Sequence, residues 1–113
     1  MGKVKNQYAC ALVLVQSLIG GKWKLRILWH IQAGHNRFST LKRNMPEISE
    51  KVLAEQLQDL IDNGLIRRKM VSDKPLIVEY SISEQWPQLP RLTEELCGFA
   101  REYASHKGIE ITD

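Results

Sequence analysis

Hydrophobic and polar positions divide the chain into four helical stretches and one extended stretch. Residues 9–19 are apolar almost all round, residues 22–33 and 38–64 repeat apolar positions at three- and four-residue spacing, and residues 84–105 carry one apolar stripe. Residues 65–83 follow an extended pattern instead, with apolar and polar positions alternating in their second half. The pattern therefore predicts a mainly α fold with a small β-hairpin before the last helix.

Residues 38–64 have the pattern of two helices joined by a tight break. Ser39 is placed to cap the first helix, and Pro46 ends it because proline disfavours helix at the residue before it. Ser49 can accept a hydrogen bond from the free N–H groups of the second helix, and Gly64 is a natural stop. This is a helix-turn-helix signature, although an ordinary helical hairpin shows the same local pattern.

Residues 65–83 predict two strands around a turn at Asp73-Lys74-Pro75. Three consecutive basic residues, Arg67, Arg68 and Lys69, interrupt the alternation in the first strand. A basic hairpin that directly follows the second helix of a helix-turn-helix is the wing of a winged helix-turn-helix. The alternative is a generic hairpin whose charges are only solvated.

The two terminal helices are candidates for dimerisation. A helix that is apolar on most faces, as residues 9–19 are, must be covered on most faces, and in a short chain a partner subunit is an economical cover. A central core helix is the alternative. The helix at residues 84–105 is acidic in balance, which suits packing or dimerisation better than phosphate binding. In the helix at residues 22–33, Lys22, Lys24 and Arg26 are expected on the outer side.

Composition and charge narrow the function classes. The 113 residues suit a single domain, residues 1–113, and 43% hydrophobic with 26% charged residues is the balance of a globular protein. The longest apolar run is too short to span a bilayer and no leader is visible, so a cytoplasmic protein is expected. Residues 22–74 carry a net charge of +5 and residues 75–113 a net charge of −4. This asymmetry indicates a polyanion-binding middle, or else chance clustering on solvated faces.

Short blocks in a fixed order carry a resemblance that runs from Cys10 to about Tyr103. The blocks are Cys10, Leu18-Ile-Gly-Gly-Lys-Trp23, Ile27-Leu28, Arg37-Phe38-Ser39, Leu41, Pro46 with Ile48-Ser49, Lys51-Val52-Leu53, Leu57 with Leu60, Gly64-Leu65-Ile66 and Val78-Glu79-Tyr80-Ser81. In order and spacing they resemble the HxlR-type family of bacterial winged helix-turn-helix transcriptional regulators, within the MarR-like superfamily. The chain departs from the family's usual residues at Glu50, Glu55 and Trp86, which puts the operator sequence in doubt.

The resemblance implies a homodimer, formed mostly by the helices at residues 9–19 and 84–105, that binds inverted-repeat operators on double-stranded DNA. It implies that the second helix of the motif enters the major groove while the wing at residues 65–83 lies near the adjacent minor groove. A two-fold dimer places two recognition helices about one DNA turn apart, as successive major grooves require.

Specific residues are candidates for each kind of DNA contact. The first turns of a recognition helix reach base edges, which selects a set on its polar side: Ser49, Lys51, Ala54, Glu55 and Gln58. A surface ion pair between Lys51 and Glu55 is the alternative for these two residues. Charge selects the phosphate candidates, which lie beside the motif and on the wing: Lys42, Arg43, Arg67, Lys69 and Lys74.

Cys10 is a candidate redox sensor. The resemblance implies that a cysteine in this place can respond to oxidants or electrophiles by disulfide formation across the dimer or by alkylation, and Lys3 and Lys5 lie near it in sequence. The alternative is that Cys10 is one more small apolar residue in a buried helix, and Cys97 is expected in the core or an interface. A small-molecule or oxidant effector is therefore conceivable.

Other classes of function fit the sequence less well. His30, His35 and His106 are scattered, and no motif of a hydrolase, a metalloenzyme or a phosphate-binding enzyme is visible, so neither enzymatic activity nor a metal or cofactor site is expected. A winged helix that binds a protein instead of DNA is the main alternative, because the recognition helix carries several acidic residues: Glu50, Glu55, Asp59 and Asp62.

Overall fold

A computed structural model describes residues 4–112 of the chain. The described part contains five helices and one antiparallel hairpin, which confirms the predicted fold class. The elements are α1 (Ala11–Ile19), α2 (Lys24–Gln32), α3 (Phe38–Asn44), α4 (Glu50–Asp62), β1 (Ile66–Asp73), β2 (Leu76–Ile82) and α5 (Gln88–Lys107).

Hydrogen bonding at the helix starts bears out one of the two predicted caps. The Oγ atom of Ser49 accepts a hydrogen bond from the backbone N–H of Val52 at 3.1 Å, so Ser49 caps α4. The prediction for Ser39 was wrong, because α3 already begins at Phe38 and its capping position is Arg37, which makes no side-chain capping bond. A local sequence pattern places helix ends only to within one or two residues.

The core lies where α2, α3 and α4 meet under the hairpin. The predicted apolar side of α4 is buried at Leu53, Leu57 and Leu60, and Ile27 and Leu28 of α2 are completely buried against it. Burial of these large aliphatic side chains is the main stabilising contribution, at about 1.5–3 kcal/mol for each. The core therefore fixes the orientation of α4 relative to the rest of the chain.

The expected position of Lys24 was wrong. The helix pattern placed Lys24 on the outer side of α2, but the residue is only 4% exposed. Its ammonium group donates to Oε1 of Gln56 at 2.8 Å and lies 3.4 Å from Oδ2 of Asp59. Both partners belong to α4, so their polar atoms make burial of the charge tolerable.

The hairpin is attached to the helical part at its base and exposed along its length. Ile66 and Tyr80 are buried, whereas all but one of the other residues of β1 are exposed. The backbone N–H of Tyr80 donates to the carbonyl oxygen of Asn36 at 2.8 Å, which joins β2 to the connector before α3. Because most of β1 has no buried face, it can hold consecutive basic residues without the alternation of an ordinary strand.

The terminal helices differ in how they meet the core. α5 begins at Gln88, directly after Pro87. This start is four residues later than the predicted start at residue 84. The indole N–H of Trp86 donates to the carbonyl oxygen of Gly64 at 2.9 Å and so connects the end of α4 with the start of α5. In α1 only Ile19 is buried. The core-helix alternative therefore does not describe α1 in the single chain.

Candidate nucleic-acid interface

The outward side of α4 displays four of the five base-contact candidates. Lys51, Ala54, Glu55 and Gln58 are exposed and, at helical spacing, lie on one face opposite the buried leucines. Ser49 is also exposed, but its hydroxyl is engaged as the helix cap. The structure therefore brings four of the candidates onto one face of α4 and leaves Ser49 at its end.

Two features of α4 refine the sequence-based alternatives. The amide of Gln58 donates to the carboxylate of Asp62 at 2.8 Å, so reading a base would require Gln58 to exchange this partner. Within residues 4–112 no ion pair joins Lys51 to Glu55, so the surface-pair alternative for these two residues is not formed. Both side chains are left facing solvent.

The phosphate candidates lie on α3 and on the hairpin, the elements that come before and after α4 along the chain. Arg43, Arg67, Lys69 and Lys74 are exposed, whereas Lys42 is half-buried. The ammonium of Lys42 donates to the carbonyl oxygen of Pro46 at 3.2 Å, across the turn between α3 and α4. This hydrogen bond stabilises the turn, so Lys42 would have to give it up to contact a phosphate through the same N–H group.

A pair that sequence reasoning did not assign to the site fixes the hairpin relative to α3. The guanidinium of Arg37 lies 3.1 Å from the carboxylate of Glu79, in addition to the bond between Tyr80 and Asn36. Arg37 and Glu79 both belong to the blocks that carried the resemblance, which was the available signal. Together these contacts hold the hairpin beside the helix-turn-helix.

An apolar surface lies on the terminal helices. Leu12 of α1 is 71% exposed, and Phe99 and Tyr103 of α5 are 68% and 51% exposed. A cleft of about 290 Å³ lies between α2 and α5 and is lined mainly by apolar side chains. Trp29 and the half-buried Cys97 are among the lining residues. We call the exposed apolar residues of α1 and α5 the terminal apolar surface; they are Leu12, Val13, Val15, Leu96, Phe99 and Tyr103.

Cys10 is exposed and occupies the N-terminal capping position of α1, without a side-chain capping bond. The interpretation of Cys10 as a buried apolar residue does not fit this position in the single chain. Of the two lysines near it in sequence, Lys5 uses its backbone N–H to donate to the hydroxyl of Tyr8 at 2.9 Å, and Lys3 lies outside the described residues.

The histidines are not all scattered. His30 at the end of α2 and His35 in the following connector have their Nδ1 atoms 3.2 Å apart, while His106 lies in the last turn of α5. Desolvation by burial, then the neighbouring His35 and Arg26, lower the pKa of His30 below its ordinary value. Within residues 4–112, no three His, Cys, Asp or Glu residues are grouped so that they could hold a metal ion. No helix among these residues is long and apolar enough to cross a membrane.

Comparison with known proteins supplies the family. A model of the HxlR-like helix-turn-helix family matches residues 18–108. The chain belongs to this family. It is 36% identical over 105 residues to the HTH-type transcriptional regulator YkvN of Bacillus subtilis (strain 168), covering 93% of this chain and 89% of YkvN.

Solved structures agree with this assignment. The crystal structure of the HTH-type transcriptional regulator ytcD superposes with a TM-score of 0.77 at 35% identity, covering 85% of this chain and 98% of ytcD. The redox regulator HypR in its oxidized form gives a TM-score of 0.75 at 29% identity, covering 82% and 96%. This HxlR-like protein is therefore a transcriptional regulator with a winged helix fold, and not an enzyme.

Proposed function

We propose that this protein acts as a homodimer that binds inverted-repeat operators on double-stranded DNA in a sequence-specific manner. The observation that supports this most directly is the outward face of α4, which is capped at Ser49, supported by the core and flanked by the basic hairpin. α4 is the recognition helix in this proposal, and the hairpin at β1 and β2 is the wing.

Base recognition is assigned to the first turns of α4. Lys51 can donate to guanine or to a phosphate, Gln58 can form two hydrogen bonds with adenine, and Glu55 can accept from the amino group of cytosine. Ala54 offers a small apolar contact, and Ser49 lies where the helix starts. Of the acidic residues on α4, Asp59 is paired with Lys24, which lessens the negative charge of the helix, whereas Asp62 keeps its charge while accepting a hydrogen bond from Gln58.

Affinity is assigned to the basic residues around α4. Arg67 and Lys69 are separated by two positions on β1 and so point to the same side of the hairpin, and Lys74 lies in its turn. Arg43 and Lys42 lie at the end of α3. Contacts from these residues to phosphates would set the affinity and its salt dependence, but not the sequence preference.

A binding titration against a duplex from the protein's own upstream region, at several salt concentrations, tests both assignments. Lys74→Ala removes one phosphate contact from each subunit, so it is expected to weaken binding to all duplexes and to lower the magnitude of the slope of log affinity against log salt by about 1.8 for the dimer. Gln58→Ala is expected to reduce the preference for the specific duplex by about 1–3 kcal/mol for each half-site and to leave the slope unchanged. Arg91→Ala, which removes an exposed basic residue of α5 outside the terminal apolar surface, is the control.

Dimerisation is assigned to the terminal apolar surface. Large exposed side chains such as Leu12 and Phe99 are costly in water and typical of a subunit interface. Light scattering of Phe99→Ser is expected to show a monomer with weakened binding to the operator. Met70→Ser removes an equally apolar side chain, 58% exposed on the hairpin, and should leave the dimer intact. A monomeric wild-type protein would contradict this assignment.

Cys10 is assigned a response to oxidants or electrophiles, which is supported by its exposure and by the structural similarity to the redox regulator HypR. In disulfide formation across the dimer, two Cys10 thiols lose two electrons and two protons to a two-electron oxidant such as diamide. Non-reducing gels after diamide treatment should show a cross-linked dimer that Cys10→Ser abolishes and Cys97→Ser preserves. If diamide produces no cross-linked dimer and does not change DNA binding, disulfide switching at Cys10 is ruled out.

A protein-interaction module without specific DNA binding remains the second candidate, because Glu50 and Glu55 are exposed on α4. A protein-interaction module would bind the upstream duplex no more tightly than an unrelated duplex. The same titration therefore separates the two functions.

A further inference from the structure

We propose that His30 and His35 form a binding site for a single zinc-type transition-metal ion. The two residues are five positions apart, His30 in the last turn of α2 and His35 just beyond Gly34. The helix end is closed by the backbone N–H of His35, which donates to the carbonyl oxygen of His30 at 2.9 Å. This closure brings both imidazole rings to the same side of the connector.

The distance between the rings fits two ligands of one ion. The Nδ1 atoms lie 3.2 Å apart and the ring planes are inclined by 38°. If an ion were bonded to both atoms at about 2.0–2.1 Å, the Nδ1–metal–Nδ1 angle would be about 103°, which is close to the tetrahedral angle. The spacing of the two Nδ1 atoms therefore fits two ligands of a tetrahedral zinc ion.

The protonation state also suits a metal. An imidazole must be neutral at the nitrogen that binds the ion. Burial, then the neighbouring His35 and Arg26, lower the pKa of His30 and so favour its neutral form. A hydrogen bond between the rings needs one proton on an Nδ1 atom, and moving that proton to Nε2 frees both Nδ1 lone pairs without any net release of protons.

The charges around the rings limit how tightly the ion is held. Glu47, in the turn after α3, counteracts the lowering of the His30 pKa and would attract a cation, but its carboxylate is 3.2 Å from the guanidinium of Arg26. Arg26 opposes a cation. With two protein ligands, water completes the coordination, so this is an exchangeable site and not a structural zinc site.

The location gives the ion a mechanical consequence. A metal held by both rings would join the end of α2 to the connector that leads into α3. The same connector is bonded to the hairpin through the Asn36 carbonyl and through Arg37. An ion at His30 and His35 would thus stiffen the junction of the three parts, whether or not the protein binds DNA.

Titration with Zn²⁺ against a chromophoric chelator tests the site on the full chain. We use Cys10→Ser/Cys97→Ser as the parent, because thiols also bind zinc, and expect one equivalent per chain. His35→Gln should weaken binding at least tenfold, and His106→Gln, in the last turn of α5, should leave it unchanged. Should His30→Gln fail to fold, His35→Gln in the half-exposed connector still carries the test.

Nitrogen-15 NMR of the imidazoles provides an independent readout. Zinc is expected to shift the Nδ1 signals of both His30 and His35 together, while the Nε2 atoms stay protonated. The proposal is overturned if no saturable binding occurs, if His35→Gln binds like the parent, or if the Nδ1 signals do not respond and only the ring-to-ring hydrogen bond is seen.

Discussion

Lys24 and Asp59 join α2 to α4 through a buried contact, with 3.4 Å between the ammonium nitrogen and Oδ2. The lysine side chain is 5% exposed and the aspartate side chain 26%. A hydrogen bond from the same ammonium to Gln56 at 2.8 Å provides a second partner one helical turn away. Because a buried ammonium is costly without partners, the rotation of α4 that brings Gln56 and Asp59 to Lys24 is favoured over others.

Lys24→Met should destabilise the protein by about 1–3 kcal/mol, because it leaves two polar groups of α4 without their partner in a largely buried site. The partial exposure of Asp59 keeps the loss below that of a fully buried pair. Urea denaturation measures it. Lys22→Met is the matched control, since Lys22 is exposed and its ammonium lies 4.8 Å from the centroid of the Trp23 ring, and its effect should stay within about 0.5 kcal/mol.

Asp59→Asn in the Lys24→Met background separates the ion pair from packing. If the pair is what matters, the double variant should regain part of the lost stability, because no uncompensated carboxylate remains. An equal loss in the double variant would show that the unpaired charge of Asp59 is not the source of the loss.

Ser49→Ala should cost about 0.5–2 kcal/mol, because the N–H of Val52 loses its side-chain acceptor at the start of α4. Ser39→Ala is the matched comparison on the preceding helix. It is exposed and lies inside α3 rather than at its cap, so thermal unfolding should show almost no change. Equal losses in the two variants would mean that the Ser49 cap contributes nothing.

A double-mutant cycle at Arg37 and Glu79 should give a coupling of about 0.2–1 kcal/mol, since the two side chains are 48% and 33% exposed and water screens the pair. The backbone bond between Tyr80 and Asn36 involves neither side chain, so it is expected to remain in every variant. Operator affinity is therefore expected to fall more than global stability if the pair positions the wing. A coupling near zero in both measurements would contradict a positioning role.

Local sequence patterns predicted the helices and strands better than the contacts between them. The order of helices, the hairpin and the buried leucines of α4 follow from apolar spacing, because amphipathic periodicity reflects which face meets the core. The cap at Ser49 was predictable for the same local reason. Ser39 failed because the pattern does not distinguish a serine that precedes a helix from one in its first turn.

Contacts between residues far apart in the chain could not be predicted from the local sequence pattern. Lys24 meets Asp59 across 35 positions, so the lysine looks solvated when only its own helix is considered. Arg37 and Glu79 are 42 positions apart. His30 and His35 are close in sequence, but their contact depends on how the chain leaves the helix at Gly34, where φ is +99°.

Folding stability should fall on mild acidification because of His30. Its pKa in the folded protein is lowered by burial, then by His35 and Arg26, whereas the unfolded chain keeps the ordinary value of about 6.5. As the pH falls through 6.5 the unfolded state therefore takes up more protons than the folded state, and stability decreases. Above that value both states are neutral and the full contribution is present.

Urea unfolding between pH 7.5 and about pH 5.5, with a chelator to exclude metal ions, measures this effect as the difference between wild type and His30→Gln. The wild type should lose more stability across this interval than the variant. His35→Gln should lose an intermediate amount, because one of the groups that depress the His30 pKa is removed while burial remains. Carboxylates such as Glu47 titrate at lower pH and are common to all three proteins, so parallel curves would exclude His30 as the source.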